Sequence, residues 1–203
     1  MLNQVAPYKE NPSQTAGPYV HIGMTPNWLG IKGVYPEDLG SVMLTPGTEG
    51  ERIVLTGHIV DGDGVPVADA VVEVWQADAN GAFAPDPAPV GTGVPHFLGF
   101  GRQPVDEKGG FRFETIKPGR VPGPDGKLQA PHVTLWIVAR GINIGLHTRL
   151  YFGDETDANG EDPVLRRVSE GRRKTLIAKV AGPGHYAFDI RLQGDDETVF
   201  FDI

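Results

Sequence analysis

A proline or a glycine interrupts this chain at about every fourth or fifth position. There are 28 glycines and 18 prolines in 203 residues, about 23% where an average chain carries roughly 12%. Both residues break the interior turns of a helix, so a helical bundle or a coiled coil is excluded. Glycine has no triplet period, which excludes a collagen-like rod. Disorder is excluded by a hydrophobic content of 39%, gathered in short runs rich in Val, Ile, Phe and Trp. A globular chain of this length can bury about 70% of its unfolded surface. What remains is an all-β domain with many turns.

The runs themselves have the period of strands. Residues 52–60, RIVLTGHIV, are β-branched and end at Asp61-Gly62-Asp63-Gly64, where Asp-Gly pairs tolerate the positive φ of a tight turn. Residues 71–77, VVEVWQA, alternate, with Val72, Val74 and Gln76 on one face and Val71, Glu73 and Trp75 on the other. Asp78-Ala79-Asn80-Gly81 is the next turn, and a glycine- and proline-rich loop is expected over roughly 84–104. GFRFETI (110–116) alternates again and stops at Lys117-Pro118-Gly119. HVTLWIVAR (132–140) is nearly all apolar, which predicts a central strand buried on both sides. TRLYF (148–152), HYAFDIRLQ (185–193) and ETVFF (197–201) complete the set, and one short helix is expected at 163–170 with Pro163 in its first turn. No repeat of fixed period is present. About seven to nine short strands between frequent turns predict a β-sandwich.

Residues 1–50 read differently. SQTAGPYV, MTPNWLG, VYPEDLG and LTPGTEG allow neither a helix nor a long strand. Yet the segment holds Tyr8, Tyr19, Trp28, Leu29, Tyr35 and Leu39, more large apolar groups than a free tail carries. A long irregular segment of that content packs against something, its own domain or another chain. The chain thus divides into an irregular N-terminal arm, 1–50, and a sandwich, 51–203.

Charge and composition narrow the function. The net charge is −8, which disfavours nucleic acid and anionic membranes as partners, because both need clustered positive charge. The densest basic stretch, Arg166, Arg167, Arg172, Arg173 and Lys174, is interrupted by Glu170 and reads as a solvated helix face. Cysteine is absent, which excludes thiol catalysis and fits a reducing cytoplasm. The N-terminal MLNQVAPYKENPSQ has no apolar signal core, and no apolar run approaches the roughly 18 residues of a membrane span.

No motif for serine-hydrolase or P-loop chemistry is present. The six histidines, His21, His58, His96, His132, His147 and His185, form no His-x-His or His-x-x-x-His pair. Two residues beyond His132, where a strand would place a second ligand on the same face, stands Thr134. Packed or exposed histidines without a metal are the commoner case, and a three-histidine site assembled from distant positions stays open.

The motifs, taken in order, do resemble a family. Leu55-Thr56-Gly57-His58-Ile59 runs through Gly62, Pro66 and Ala70 to Val72-Glu73-Val74-Trp75-Gln76-Ala77-Asp78-Ala79-Asn80-Gly81. Thr115-Ile116-Lys117-Pro118-Gly119, Ala130-Pro131-His132, Ala139-Arg140-Gly141-Ile142-Asn143, Thr148-Arg149-Leu150-Tyr151-Phe152 and Tyr186-Ala187-Phe188-Asp189-Ile190-Arg191 follow in order, and Ser13-Gln14-Thr15-Ala16-Gly17-Pro18-Tyr19 precedes them. Over nearly its whole length the chain resembles the intradiol ring-cleavage dioxygenases.

The resemblance implies an oxidoreductase of aromatic degradation, in the beta-ketoadipate pathway, that cleaves protocatechuate with O2 to 3-carboxy-cis,cis-muconate. Catalytic chains of the family hold Fe(III) with two tyrosines and two histidines, phenolate being a hard donor suited to the ferric ion. The matching positions here are Phe83, Val121, His132 and Thr134. Three of the four donors are gone, and the lone His132 cannot hold a metal. The chain is therefore expected to carry no catalytic residue and no metal site. It would serve as an alpha subunit in an alpha–beta oligomer, beside a homologous catalytic beta subunit that binds the iron. Its own share would be to line that partner's substrate pocket, with Thr15, Gly17, Pro18 and Tyr19 from the arm and with Arg140, whose planar fork suits the substrate carboxylate. Arg149 is a weaker candidate, more structural, and Gln129 stands where catalytic chains carry an arginine. The competing readings are an arm that is an ordinary loop of its own domain, a strand-end Arg140 reaching into solvent, and a stand-alone β-sandwich that binds a ligand without any enzyme partner. An iron enzyme with unforeseen ligands is a third, remoter class.

Overall fold

Alternating runs between glycine turns can bury one face each, and two such layers close over a shared core. In the computed structural model, which describes residues 15–17, 19–84, 97–123 and 125–202, they do so. The strands are β1 (Arg52–Val60), β2 (Val71–Trp75), β3 (Phe100–Pro104), β4 (Gly110–Ile116), β5 (His132–Val138), β6 (Leu146–Phe152), β7 (Ile177–Gly182), β8 (His185–Ala187) and β9 (Ile190–Arg191). Hydrogen bonding connects them in the order β3-β2-β5-β6-β7-β8-β1-β4, with β9 beside β1. Most neighbours are antiparallel; β8 and β9 run parallel to β1, and β7 parallel to β6. No helix among the described residues is long and apolar enough to cross a membrane.

The core follows the pleat. Ile53, Leu55 and Ile59 of β1 and Phe111 and Phe113 of β4 meet Val72 and Val74 of β2 and Val133, Leu135 and Ile137 of β5 in one buried cluster. Gly57 stands in that row because nothing larger fits. A Cβ there would lie 1.9 Å from the Phe188 carbonyl oxygen and 2.6 Å from the Phe111 ring. A second cluster forms on the far face of β6, where Tyr151, Leu165, Val168 and Leu176 pack together with Val199 and Phe201.

Several sequence expectations are corrected. β5 is central, between β2 and β6, but its faces differ: Val133, Leu135 and Ile137 are fully buried, whereas Thr134, Trp136 and Val138 are only partly buried. The loop expected over 84–104 ends in strand β3. That strand has no apolar alternation of its own and is held by the β2 ladder and by Arg102 on Glu73 at 2.6 Å. The single helix expected at 163–170 is broken. The Asp162 carboxylate accepts the backbone N–H groups of Val164 and Leu165, a single tight turn forms at Leu165–Arg167, and the chain then extends at Val168 and Ser169, Val168 being buried. Only then does helix α3 (Glu170–Arg173) begin; the other short helices are α1 (Val20–Met24) and α2 (Thr156–Glu161). Residues 185–193 form two short strands rather than one, and 197–201 form none. That last segment is tied by side-chain hydroxyls, Thr148 donating to the Val199 carbonyl at 2.7 Å and Thr198 accepting from the Arg191 amide at 3.0 Å.

Between residues 25 and 50 the backbone is organised by local polar groups. Buried Asp38 accepts the amides of Asn27 and Trp28, both at 2.8 Å, and the Asn27 side chain donates to the Tyr35 carbonyl. Met43 of this stretch is buried in the main core, whereas Trp28, Val34, Leu39 and Val42 point outward and are each at least half exposed.

Candidate functional site

Two groups of expected site residues can be located: the positions matching an iron site, and the arm with Arg140.

The loops of the first group still converge. The turn after β2 and the Lys117-Pro118-Gly119 turn after β4 touch backbone to backbone. The Gly119 amide donates to the Asp78 carbonyl at 2.8 Å, and a Cβ on Gly81, whose φ is +80°, would lie 2.0 Å from the Arg120 carbonyl oxygen. The Gln129 amide donates to the Val121 carbonyl, and three residues later β5 begins at His132. Phe83, Val121, His132 and Thr134, the positions that the resemblance matches to ligands, thus lie on or next to segments that touch one another.

Their chemistry does not suit a ferric ion. Phe83 is 60% exposed and Val121 is buried; neither has a donor atom. Thr134 sits across the ladder from Trp75 on one side and Arg149 on the other. His132 is buried, its Nδ1 donates to the Ala130 carbonyl at 2.8 Å and its ring leans on Tyr151. Burial, and then the Arg149 guanidinium, push its pKa down to about 4, so it is a neutral core histidine. Arg149 donates to the Gln129 side-chain oxygen at 2.7 Å, and Tyr151 donates to Asp162, its hydroxyl pKa pushed up by burial. Polar groups here are spent on one another. Among the described residues no cluster of three His, Asp or Glu could hold a metal. The cleft beside Phe83, about 470 Å³, has Glu49 and Asp78 as its charged lining, which repel a carboxylate rather than attract one.

The second group comes together around a turn. Ala139 to Ile142 closes on a hydrogen bond from the Ile142 amide to the Ala139 carbonyl at 3.2 Å. Its third residue, Gly141, has φ +91°, a conformation that glycine adopts without cost. Arg140 is thereby carried at the turn tip, its side chain 64% exposed, with Nε donating to Asp69 Oδ2 at 3.2 Å. The arm reaches this turn: the Gly141 amide donates to Thr15 Oγ1 at 2.8 Å. Gly17 has φ +65° and Tyr19 is 75% exposed; Pro18 lies outside the described residues. His21, on α1, secures the arm a second time by its Nε2 contact with the Asp69 carbonyl at 3.2 Å.

Sequence reasoning missed Asp69 and His21. VADA at 67–70 carries no motif of its own, and nothing in a single sequence couples position 69 to 140.

Comparison with known proteins gives the family of the chain. A family model described as "Dioxygenase" matches residues 32–194. The chain is 46% identical over 95% of its length to the protocatechuate 3,4-dioxygenase alpha chain of Pseudomonas putida, covering 96% of that protein. It is 41% identical to the alpha chain of Burkholderia cepacia, with 96% of this chain and 98% of the other covered. The beta chain of Burkholderia cepacia is also similar, 39% identical over 73% of this chain and 67% of its own length. Among solved structures, an intradiol ring-cleavage dioxygenase from Tetranychus urticae superposes with a TM-score of 0.58 at 20% identity, covering 91% of this chain and 94% of that one.

Proposed function

The chain belongs to the intradiol ring-cleavage dioxygenase family, and from that premise we propose that it is the non-catalytic alpha subunit of a protocatechuate 3,4-dioxygenase. The observation that carries this reading is the donor set: an intact family fold with Phe83, Val121 and Thr134 where a ferric ion needs phenolate and imidazole. The iron is then held by a homologous beta subunit, which cleaves protocatechuate with O2. The existence of beta chains similar to this one supports such a pair.

This chain contributes a wall and a charge. The arm, 1–50, is anchored on its own sandwich through Thr15, His21 and Met43; its outward face packs on the partner and sets Thr15, Gly17, Pro18 and Tyr19 against the pocket, where they exclude water. Arg140 faces the substrate carboxylate, for which a guanidinium offers two parallel N–H bonds. The bared Trp28, Val34, Leu39 and Val42 support a surface that another chain covers, as large apolar patches do in obligate assemblies. The workplace of the complex is the cytoplasm.

Co-expression with the homologous beta chain tests this. One iron per alpha–beta pair and turnover of protocatechuate only when both chains are present are expected. Arg140→Ala should raise KM for protocatechuate roughly 10- to 150-fold, the worth of a charged hydrogen bond of about 1.5–3 kcal/mol. Iron content should not change, and catechol, which lacks the carboxylate, should be little affected. Stoichiometric iron and turnover from this chain alone would overturn the assignment. A stable monomer that ignores the beta chain would favour a stand-alone binding module.

A further inference from the structure

We propose that Asp69 is a positioning residue for Arg140, fixing the guanidinium so that its two amino groups are free to take a carboxylate; this rests on the reading of Arg140 as the substrate contact. Arg140 stands at the tip of a turn with 64% of its side chain exposed, where packing selects no rotamer. Its Nε hydrogen bond to Asp69 Oδ2 at 3.2 Å is what orients it. A guanidinium has five N–H donors, one on Nε and four on the two amino groups. Engagement at Nε leaves the four available.

Asp69 is itself held. Its carbonyl contacts His21 Nε2 at 3.2 Å, and the His21 ring is braced by Trp28, 5.2 Å away, and by Thr25 Oγ1. The next residue, Ala70, is fully buried and leads into β2. On the other side of Arg140, Thr15 accepts the Gly141 amide, so the arm and Asp69 fix one turn from two directions.

Asp69 acts on the substrate in two opposed ways. Its hydrogen bond pre-orders the arginine, which lowers the entropy cost of binding. Its charge repels the incoming carboxylate. Substitution separates the two, because Asp69→Asn keeps an acceptor for Nε without the charge, whereas Asp69→Ala loses both.

The experiment is steady-state kinetics of the alpha–beta complex with protocatechuate and with catechol. Asp69→Ala should raise KM for protocatechuate about two- to five-fold, the range of an exposed ion pair, with kcat unchanged. Asp69→Asn should match or fall below the wild-type KM, and catechol should respond to neither. In an Arg140→Ala complex, Asp69→Ala should cause no further loss, and removal of the repelling charge should leave KM level or lower it. A KM for protocatechuate that stays level or falls in Asp69→Ala would mean that Asp69 only competes for the guanidinium, and would overturn the proposal. So would equal losses for catechol, or a further loss on top of Arg140→Ala, which would make Asp69 a structural support acting through His21. Arg140→Ala without any effect on KM would instead remove the premise, and that single variant reveals it independently.

Discussion

Acid should destabilise this chain through His132 before Asp106, Asp125, Asp154 and Asp196 are protonated. His132 is 7% exposed, and burial first, then Arg149, lower its pKa from 6.5 to about 4. The unfolded chain takes up this proton near pH 6.5, whereas the folded chain resists until about pH 4. Stability is therefore full above pH 6.5 and is lost as the pH falls toward 4, at about 1.4 kcal/mol per unit. Between pH 7 and 4.5 the loss from this one ring is about 2.5 kcal/mol, a large part of a total that is commonly 5–15 kcal/mol. His147, lowered by burial and then by Arg149, acts in the same direction. Asp106, Asp125, Asp154 and Asp196 are all held below their ordinary value, so their contribution is lost only below about pH 4. The perturbation is His132→Asn, which can keep a donor toward the Ala130 carbonyl but cannot titrate. Urea denaturation followed by tryptophan fluorescence at pH 7, 6, 5 and 4.5 measures the difference. The wild-type chain should lose about 2.5 kcal/mol more than the variant across that window. Parallel stability curves would refute the reasoning, because they would mean that the folded chain protonates His132 as readily as the unfolded one.

How legible the fold was depends on where each element's hydrogen bonds and burial come from. β1 and β4, residues 52–60 and 110–116, agree with the sequence reading because alternation and an adjoining turn specify both. β3 was hidden because Phe100-Gly101-Arg102-Gln103-Pro104 has no periodicity. It is a strand because β2 pairs with it and because Gly101 lets Met43 pack against its backbone, where a Cβ would meet Met43 at 2.6 Å. β7, IAKVAG, is mostly apolar in sequence, but only Ala178 is buried and Lys179, Val180 and Ala181 are exposed, so its residues show no alternation of the kind that marks β1 and β4. In the candidate site, that Phe83 and Val121 carry no donor atom can be read from the sequence, because donor chemistry depends on residue type alone. The Asp69–Arg140 pair was not, since it spans 71 positions and exists only where two loops and the arm meet.

Two further substitutions test the packing. Gly57→Ala should destabilise by about 3 kcal/mol or more, at or beyond the usual range for overpacking, because the new Cβ would press on the Phe188 carbonyl 1.9 Å away; a urea midpoint equal to the wild type would show that β1 can move. Lys117 tests the corner below the site. Its side chain is 15% exposed, and Nζ lies 2.8 Å from Asp154 and 2.7 Å from Glu155, above the rings of Phe152 and Tyr186. Burial alone would lower its pKa, yet the hydrogen bonds to Asp154, Glu155 and Tyr186 more than offset this and raise it, so the charge persists at every working pH. Lys117→Met keeps the apolar stem and strands two carboxylates. A fully buried pair broken this way costs about 3–5 kcal/mol and an exposed one at most about 1; with both acids partly solvated, about 2 kcal/mol is expected, or roughly 4–8 °C in Tm. Adding Asp154→Asn to Lys117→Met should recover part of that loss, because it removes one of the stranded charges. If the double variant is less stable still, the lysine acts through packing on the two rings and not through its charge.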